Sequence, residues 1–158
     1  DKANIDSIYF LHIEDGGIGN IDINTTDLQK IIDFCDPDIV SLPFIFDEHD
    51  DHVYTNKLIS QVFFKNSQKV DFWAYQIYSS MPANVIIDIT SIIEQKFDLM
   101  SMYKSQLNDF DFINWNKGLN AWNSRYLKSK KGKYAEQYFV VPFDQYIEIC
   151  DIFFDNNI

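Results

Sequence analysis

The sequence predicts an α/β domain: a mostly parallel sheet with helices on its faces. Three observations carry this expectation. Short β-prone apolar runs alternate along the chain with segments whose apolar residues recur at helical spacing. Hydrophobic residues make up 46% and aromatic residues 16% of the 158, which is material for one buried core. A loop rich in histidine and carboxylate follows the second apolar strand, and parallel sheets collect their ligands outside the carboxyl ends of the strands. No repeat, low-complexity tract or Pro/Gly-rich linker divides the chain, so residues 1–158 read as a single domain.

The elements follow in order. The apolar run from Ser7 to Ile13 predicts a buried strand. Gly16-Gly17 and Gly19-Asn20 mark a loop. Thr25 or Thr26 is suited to cap a helix with Leu28, Ile31, Ile32 and Cys35 on one face, and Asp36-Pro37-Asp38 stops it. Ile39 to Leu42 is a second buried strand, running into a loop through Pro43 that ends at His52. A helix with Val53, Leu58, Ile59, Val62 and Phe63 comes next. Residues 70–78 read as a long aromatic strand and Val85-Ile86-Ile87 as a shorter one. Ser91 and Glu94 have capping-box spacing at the start of a helix that carries Ile93, Phe97, Met100 and Leu107. A second aromatic helix is expected from Phe112 to Leu127, a strand from Tyr134 to Val141 and a closing helix from Phe143 to Phe154.

Charge and composition exclude several function classes. The chain has 13 basic and 24 acidic residues, for a net charge of −11. Such a surface repels a phosphate backbone, so nucleic acid is not the expected partner. The apolar runs fall well short of the ~20 residues that span a bilayer. No basic segment followed by an apolar stretch opens the chain as a signal peptide would. Cys35 and Cys150 stand alone in apolar segments, which fits free thiols in a reducing cytoplasm rather than a disulfide framework.

Two of the three histidines lie three residues apart in Phe46-Asp47-Glu48-His49-Asp50-Asp51-His52, with four carboxylates in or beside the pair. Neutral imidazole and carboxylate are ligand types that a borderline metal such as zinc accepts. A loop just before a helix is a place from which they can aim into a cleft. A solvated acidic loop with two exposed histidines would carry the same residues.

The run resembles the second signature of the PIG-L (LmbE-like) family of zinc-dependent N-acetylglucosaminyl deacetylases, a His-x-Asp-His that follows a strand and opens a helix. His49, Asp51 and His52 match its fixed positions, and Asp50 stands where proline is usual. Asp36-Pro37-Asp38-Ile39-Val40 is similar to the family's stretch before that motif. Asp88-Ile89-Thr90, Lys96 and Tyr103-Lys104-Ser105-Gln106 resemble a further segment. Arg125 followed by Tyr134-Ala135-Glu136-Gln137-Tyr138-Phe139 resembles the closing one. The pieces occur in the family's order over about residues 31–139. The resemblance implies a Rossmann-like sheet and hydrolysis of an acetamide on an N-acetyl sugar or glycoconjugate by zinc-activated water.

Carried over residue by residue, His52 is implied as a zinc ligand. His49 is implied as the imidazole that donates to the developing oxyanion or the leaving amine, and Asp51 as the residue that orients a histidine. The family's opening motif, of the Ala-His-Pro-Asp-Asp-Glu type, supplies the remaining ligands and the base, and it has no clear counterpart here. The nearest candidate is Leu11-His12-Ile13-Glu14-Asp15-Gly16, which would make His12 and Asp15 ligands and Glu14 the base. Otherwise His12 is a strand-end residue with no metal role, and the chain lacks the family's N-terminal strands. A sheet without those strands would expose an edge, so pairing with a second copy or with the missing N-terminal part is also expected.

Two functions follow. One is a zinc-dependent deacetylase; the other is a non-catalytic relative that keeps the fold as a binding or interaction module. Tyr103, Ser105 and Gln106 read as packing and capping groups. Arg125 and Glu136 read either as an ion pair or as substrate contacts. Trp73, Trp115 and Trp122 are core or rim aromatics, with sugar stacking open to either of the latter two. Lys128 to Lys133 form a basic cluster around Gly132.

Overall fold

A computed structural model describes residues 5–20, 25–107 and 110–155. Four strands form one mixed sheet, in the order β1-β2-β4-β3: β1 Ile39–Pro43, β2 Asp71–Tyr75, β3 Val85–Asp88 and β4 Ala135–Pro142. The helices are α1 Thr26–Cys35, α2 Asp50–Ser60, α3 Ile93–Met100, α4 Lys104–Leu107, α5 Phe112–Asn123 and α6 Phe143–Asp155. The α/β class holds. β1 and β2 run parallel, with Ile39 opposite Asp71 and Pro43 opposite Tyr75. β4 returns antiparallel beside β2, with Phe72 opposite Val141, so the sheet is mixed rather than mostly parallel.

The chain packs into two compact units, residues 9–84 with 138–158, and residues 1–8 with 85–137. In the larger unit, Leu42 of β1 and Phe44 and Ile45 just after it meet Val70 and Phe72 of the β2 segment, Val62 and Phe64 after α2, and Tyr146 and Cys150 of α6. Phe72 and Tyr146 stack with ring centroids 3.9 Å apart. Each such side chain gains about 1.5–3 kcal/mol by leaving water. Buried Asn56 ties the layer together: its amide donates to the carbonyls of Pro43 and His52, and its carbonyl groups receive the Tyr146 hydroxyl. In the smaller unit, Lys96 of α3 donates to Glu136 of β4 and to Asn120 of α5, at 2.7 and 2.9 Å. Asn120 in turn donates to the carbonyl of Ala135. Among the described residues no helix is long and apolar enough to cross a membrane.

Several sequence expectations change. Residues 7–13 form no strand: Ile8, Tyr9, Phe10 and Leu11 are exposed, and His12 takes φ 55°, which breaks an extended run. The long aromatic strand ends at Tyr75, because the amides of Tyr78 and Ser79 turn to the Asp47 carboxylate instead of a ladder. The Ser91–Glu94 capping box is not made. Turns through Asp88 and Ile89 place Ile92 at the N-cap. The helix it opens stops at Ser101, where i→i+3 bonds from Met102 and Tyr103 tighten and close it.

Candidate functional site

The His-Asp-Asp-His run does not end a loop; it starts a helix. His49 is the N-cap of α2, with extended backbone, and its Nδ1 accepts the amide of Asp51 at 3.2 Å. Ser, Thr, Asp and Asn are the usual caps, so a capping histidine left no ordinary signal. His52 thereby sits in the first turn, its ring 4.8 Å from that of His49. The Tyr78 ring stacks beside both, 5.6 Å from His52 and 6.3 Å from His49.

One buried carboxylate fixes this arrangement. Asp47 Oδ1 lies 2.8 Å from His52 Nδ1 and also accepts the His49 amide at 3.2 Å. Its Oδ2 accepts the amides of Tyr78 and Ser79. Burial pushes the Asp47 carboxyl up, and these hydrogen bonds more than offset it, holding the group below its ordinary 3.8. An ionised carboxylate only accepts, so His52 Nδ1 carries a proton and, in the neutral ring, Nε2 keeps a lone pair. His49 is the reverse. Its Nδ1 is already an acceptor, so its proton is on Nε2. Two adjacent imidazoles therefore present one acceptor and one donor.

Asp51 meets His49 through its backbone amide. Its carboxylate accepts the amides of Gly16, at 2.6 Å, and Ile18, at 3.2 Å, pinning the glycine-rich loop against the start of α2. Gly19 belongs to the same seam: a Cβ there would lie 2.3 Å from the Tyr54 ring. His12, Glu14 and Asp15 are exposed. Among the described residues no three His, Cys, Asp or Glu side chains gather closely enough to hold a metal ion. The described residues therefore do not by themselves make up a zinc site, although the carboxylate-held tautomer of His52 is one that metal-binding histidines use.

Asp47 and Tyr78 had not been picked out by sequence reasoning. Asp47 had a signal, as a carboxylate five positions before His52. Tyr78 had none, since the turn that brings it in depends on Asp47. Arg125 and Glu136 do not pair with each other: Glu136 receives Lys96, while Arg125 lies over Trp122 and Tyr126.

The solved structures to which the chain is similar include the conserved protein TT1542 of Thermus thermophilus, at 19% identity and a TM-score of 0.65, covering 82% of this chain and 64% of that one. They also include N,N'-diacetylchitobiose deacetylase of Pyrococcus horikoshii, at 22% identity and a TM-score of 0.61, over 92% and 61%. GalB, the 4-carboxy-2-hydroxymuconate hydratase of Pseudomonas putida, matches at 17% identity and a TM-score of 0.55, over 79% and 62%. No family model and no curated protein matches the sequence. The fold is LmbE-like, and the chain spans about three-fifths of the length of these structures. A deacetylase and a hydratase both use it, so the fold does not fix the chemistry.

Proposed function

We propose that the chain carries the histidine portion of a sugar-deacetylase centre, acting on the acetamide of an N-acetyl sugar or glycoconjugate. The observation behind this reading is the opposed pair: His52 with its Nε2 lone pair set by Asp47, and His49 with a proton on Nε2 set by the Asp51 amide. In amide hydrolysis a base takes a proton from water as its oxygen attacks the acetyl carbonyl. A donor meets the oxyanion, and the C–N bond breaks as the amine takes up a proton. In this reading His49 is the donor, the His52 lone pair would hold zinc, and Glu14 would be the base. Asp51 keeps the adjoining loop and the His49 ring in register. Zinc, which the sequence resemblance implies with His52, His12 and Asp15 as ligands, needs further donors brought up to His52. In this reading those donors come from a second copy or another chain.

The second reading is a non-catalytic binding module of the same fold. The lack of any three gathered ligand residues among those described favours it. Zinc per chain after dialysis, with acetate release from N,N'-diacetylchitobiose, separates the two for the parent, His49→Ala and His52→Ala proteins. Near one zinc in the parent, near none in His52→Ala, and acetate release lost in both variants support the deacetylase. No zinc and no acetate release from any of them sink it and leave the binding module.

A further inference from the structure

The stretch between Asp111 and Glu136 is unlike the rest of the chain. It contains no Asp or Glu and holds six of the 13 basic residues: Lys117, Arg125, Lys128, Lys130, Lys131 and Lys133. All six are exposed, and among the described residues none takes part in an ion pair. One carboxylate does lie beside the loop: a Cβ at Gly132 would be 2.8 Å from Asp88 Oδ2. Six like charges with one carboxylate beside them still repel one another, a cost that an anionic surface would relieve.

The helix that opens this stretch is also turned inside out. An ordinary surface helix buries its apolar stripe. α5 instead buries Asn120 and Asn123, at 2% and 3% exposure, and leaves Trp115 and Trp122 at 52% and 64%. Trp115, Gly118 and Trp122 stand at i, i+3 and i+7, so they share one face. Phe110 and Phe112 cluster with Trp115 at one end, with centroids 5.3–5.7 Å apart. At the other end the Arg125 guanidinium lies 3.8 Å from the Trp122 ring centre and 4.3 Å from that of Tyr126.

Exposed indole and phenol rings beside Lys and Arg are the composition of a membrane–water interface. Basic side chains are drawn to anionic headgroups. We propose that residues 110–134 form a docking surface for an anionic phospholipid bilayer, with Trp115 and Trp122 entering the headgroup layer and Arg125 and the neighbouring lysines meeting phosphates. A long soluble polyanion would also meet rings and cations. It would run on, however, into a chain whose remaining seven basic residues face all 24 acids, whereas a bilayer touches only the face turned towards it. Charges more than about 10 Å from that face are screened at physiological salt.

The test is co-sedimentation of the full chain with vesicles of phosphatidylglycerol and phosphatidylcholine, against vesicles of phosphatidylcholine alone. Binding to the anionic vesicles only, weakened by salt and accompanied by a blue shift of tryptophan emission, is the expected result. Lys130→Glu with Lys131→Glu should lower partitioning about tenfold or more. Trp115→Ala with Trp122→Ala should lower it as well, with circular dichroism unchanged. Absence of binding to the anionic vesicles overturns the proposal. So does binding that both double variants leave intact, or binding to a single-stranded RNA oligomer with none to vesicles.

Discussion

Asp47 accepts four hydrogen bonds with its side chain closed off from solvent, and three of them come from backbone amides on two different loops. Its pKa is lower in the folded chain than the ordinary 3.8, so its contribution to stability is complete above about pH 4. That contribution is lost as the pH falls through the depressed folded value. Asp47→Asn removes the charge and sets an NH2 group against donors, which should cost about 1–3 kcal/mol at neutral pH. Urea melts from pH 6 down to pH 2.5 check both points, because the parent should lose stability more steeply than the variant below pH 4. Parallel curves would show that Asp47 has no depressed pKa. The same scale separates the two thiols. Burial pushes Cys150 up to about 11, the Tyr146 hydrogen bond offsetting part of the rise, whereas Cys35 is exposed. A thiol reagent should therefore titrate one cysteine in the native chain and two after denaturation; two rapid reactions at the outset would contradict this burial. The residues legible in the sequence were those with a chemical label, His49, His52 and Asp51. Asp47 carried the same label and was passed over, because its role depends on a turn 31 residues later whose amides it collects.

At the scale of the element, periodicity was a sound guide wherever a helix had one ordinary apolar face. α1, α6 and the strands β1 and β3 fall within a residue or two of where the pattern puts them. It failed where hydrogen bonds made elsewhere override local preference: at the start of α2, capped by a histidine, and at the end of β2, drawn off by Asp47. It failed also at residues 7–13, where β-propensity found no place in the sheet. Two glycines test the helices from opposite sides. Gly118 lies within α5 with open space where a Cβ would be, so Gly118→Ala should stabilise the chain by about 0.5–1 kcal/mol through the unfolded state. Gly19→Ala drives a methyl into the Tyr54 ring and should destabilise it by about 1–3 kcal/mol. Denaturation midpoints decide both. A destabilised Gly118→Ala would mean that the exposed face of α5 is packed against something, and a neutral Gly19→Ala would mean that the loop does not seat on α2.

For the molecule as a whole, charge acts where no single contact does. A net charge of −11 on 158 residues makes the folded state repel itself, and the folded state crowds those charges more closely than the unfolded one. The basic stretch around α5 adds a local repulsion of opposite sign, because among the described residues its cations form no ion pair. Among the described residues the ion pairs Lys30–Asp27 and Lys65–Asp33 are exposed, so salt has little attraction to weaken there; each is worth under about 1 kcal/mol. Screening should therefore remove more repulsion than attraction. Raising sodium chloride from about 0.01 M to 0.15 M shortens the Debye length from about 30 Å to 8 Å. At pH 7 that change should raise the melting temperature by a few degrees, since about 1 kcal/mol corresponds to roughly 2–4 °C at this chain length. The same osmolality supplied as a neutral sugar should act more weakly. A melting temperature that falls with salt would mean that attractive pairs, and not the summed charge, govern the electrostatics of the fold. In that case the Lys96–Glu136 link would be the first place to look, because it is less exposed than Lys30–Asp27 and Lys65–Asp33.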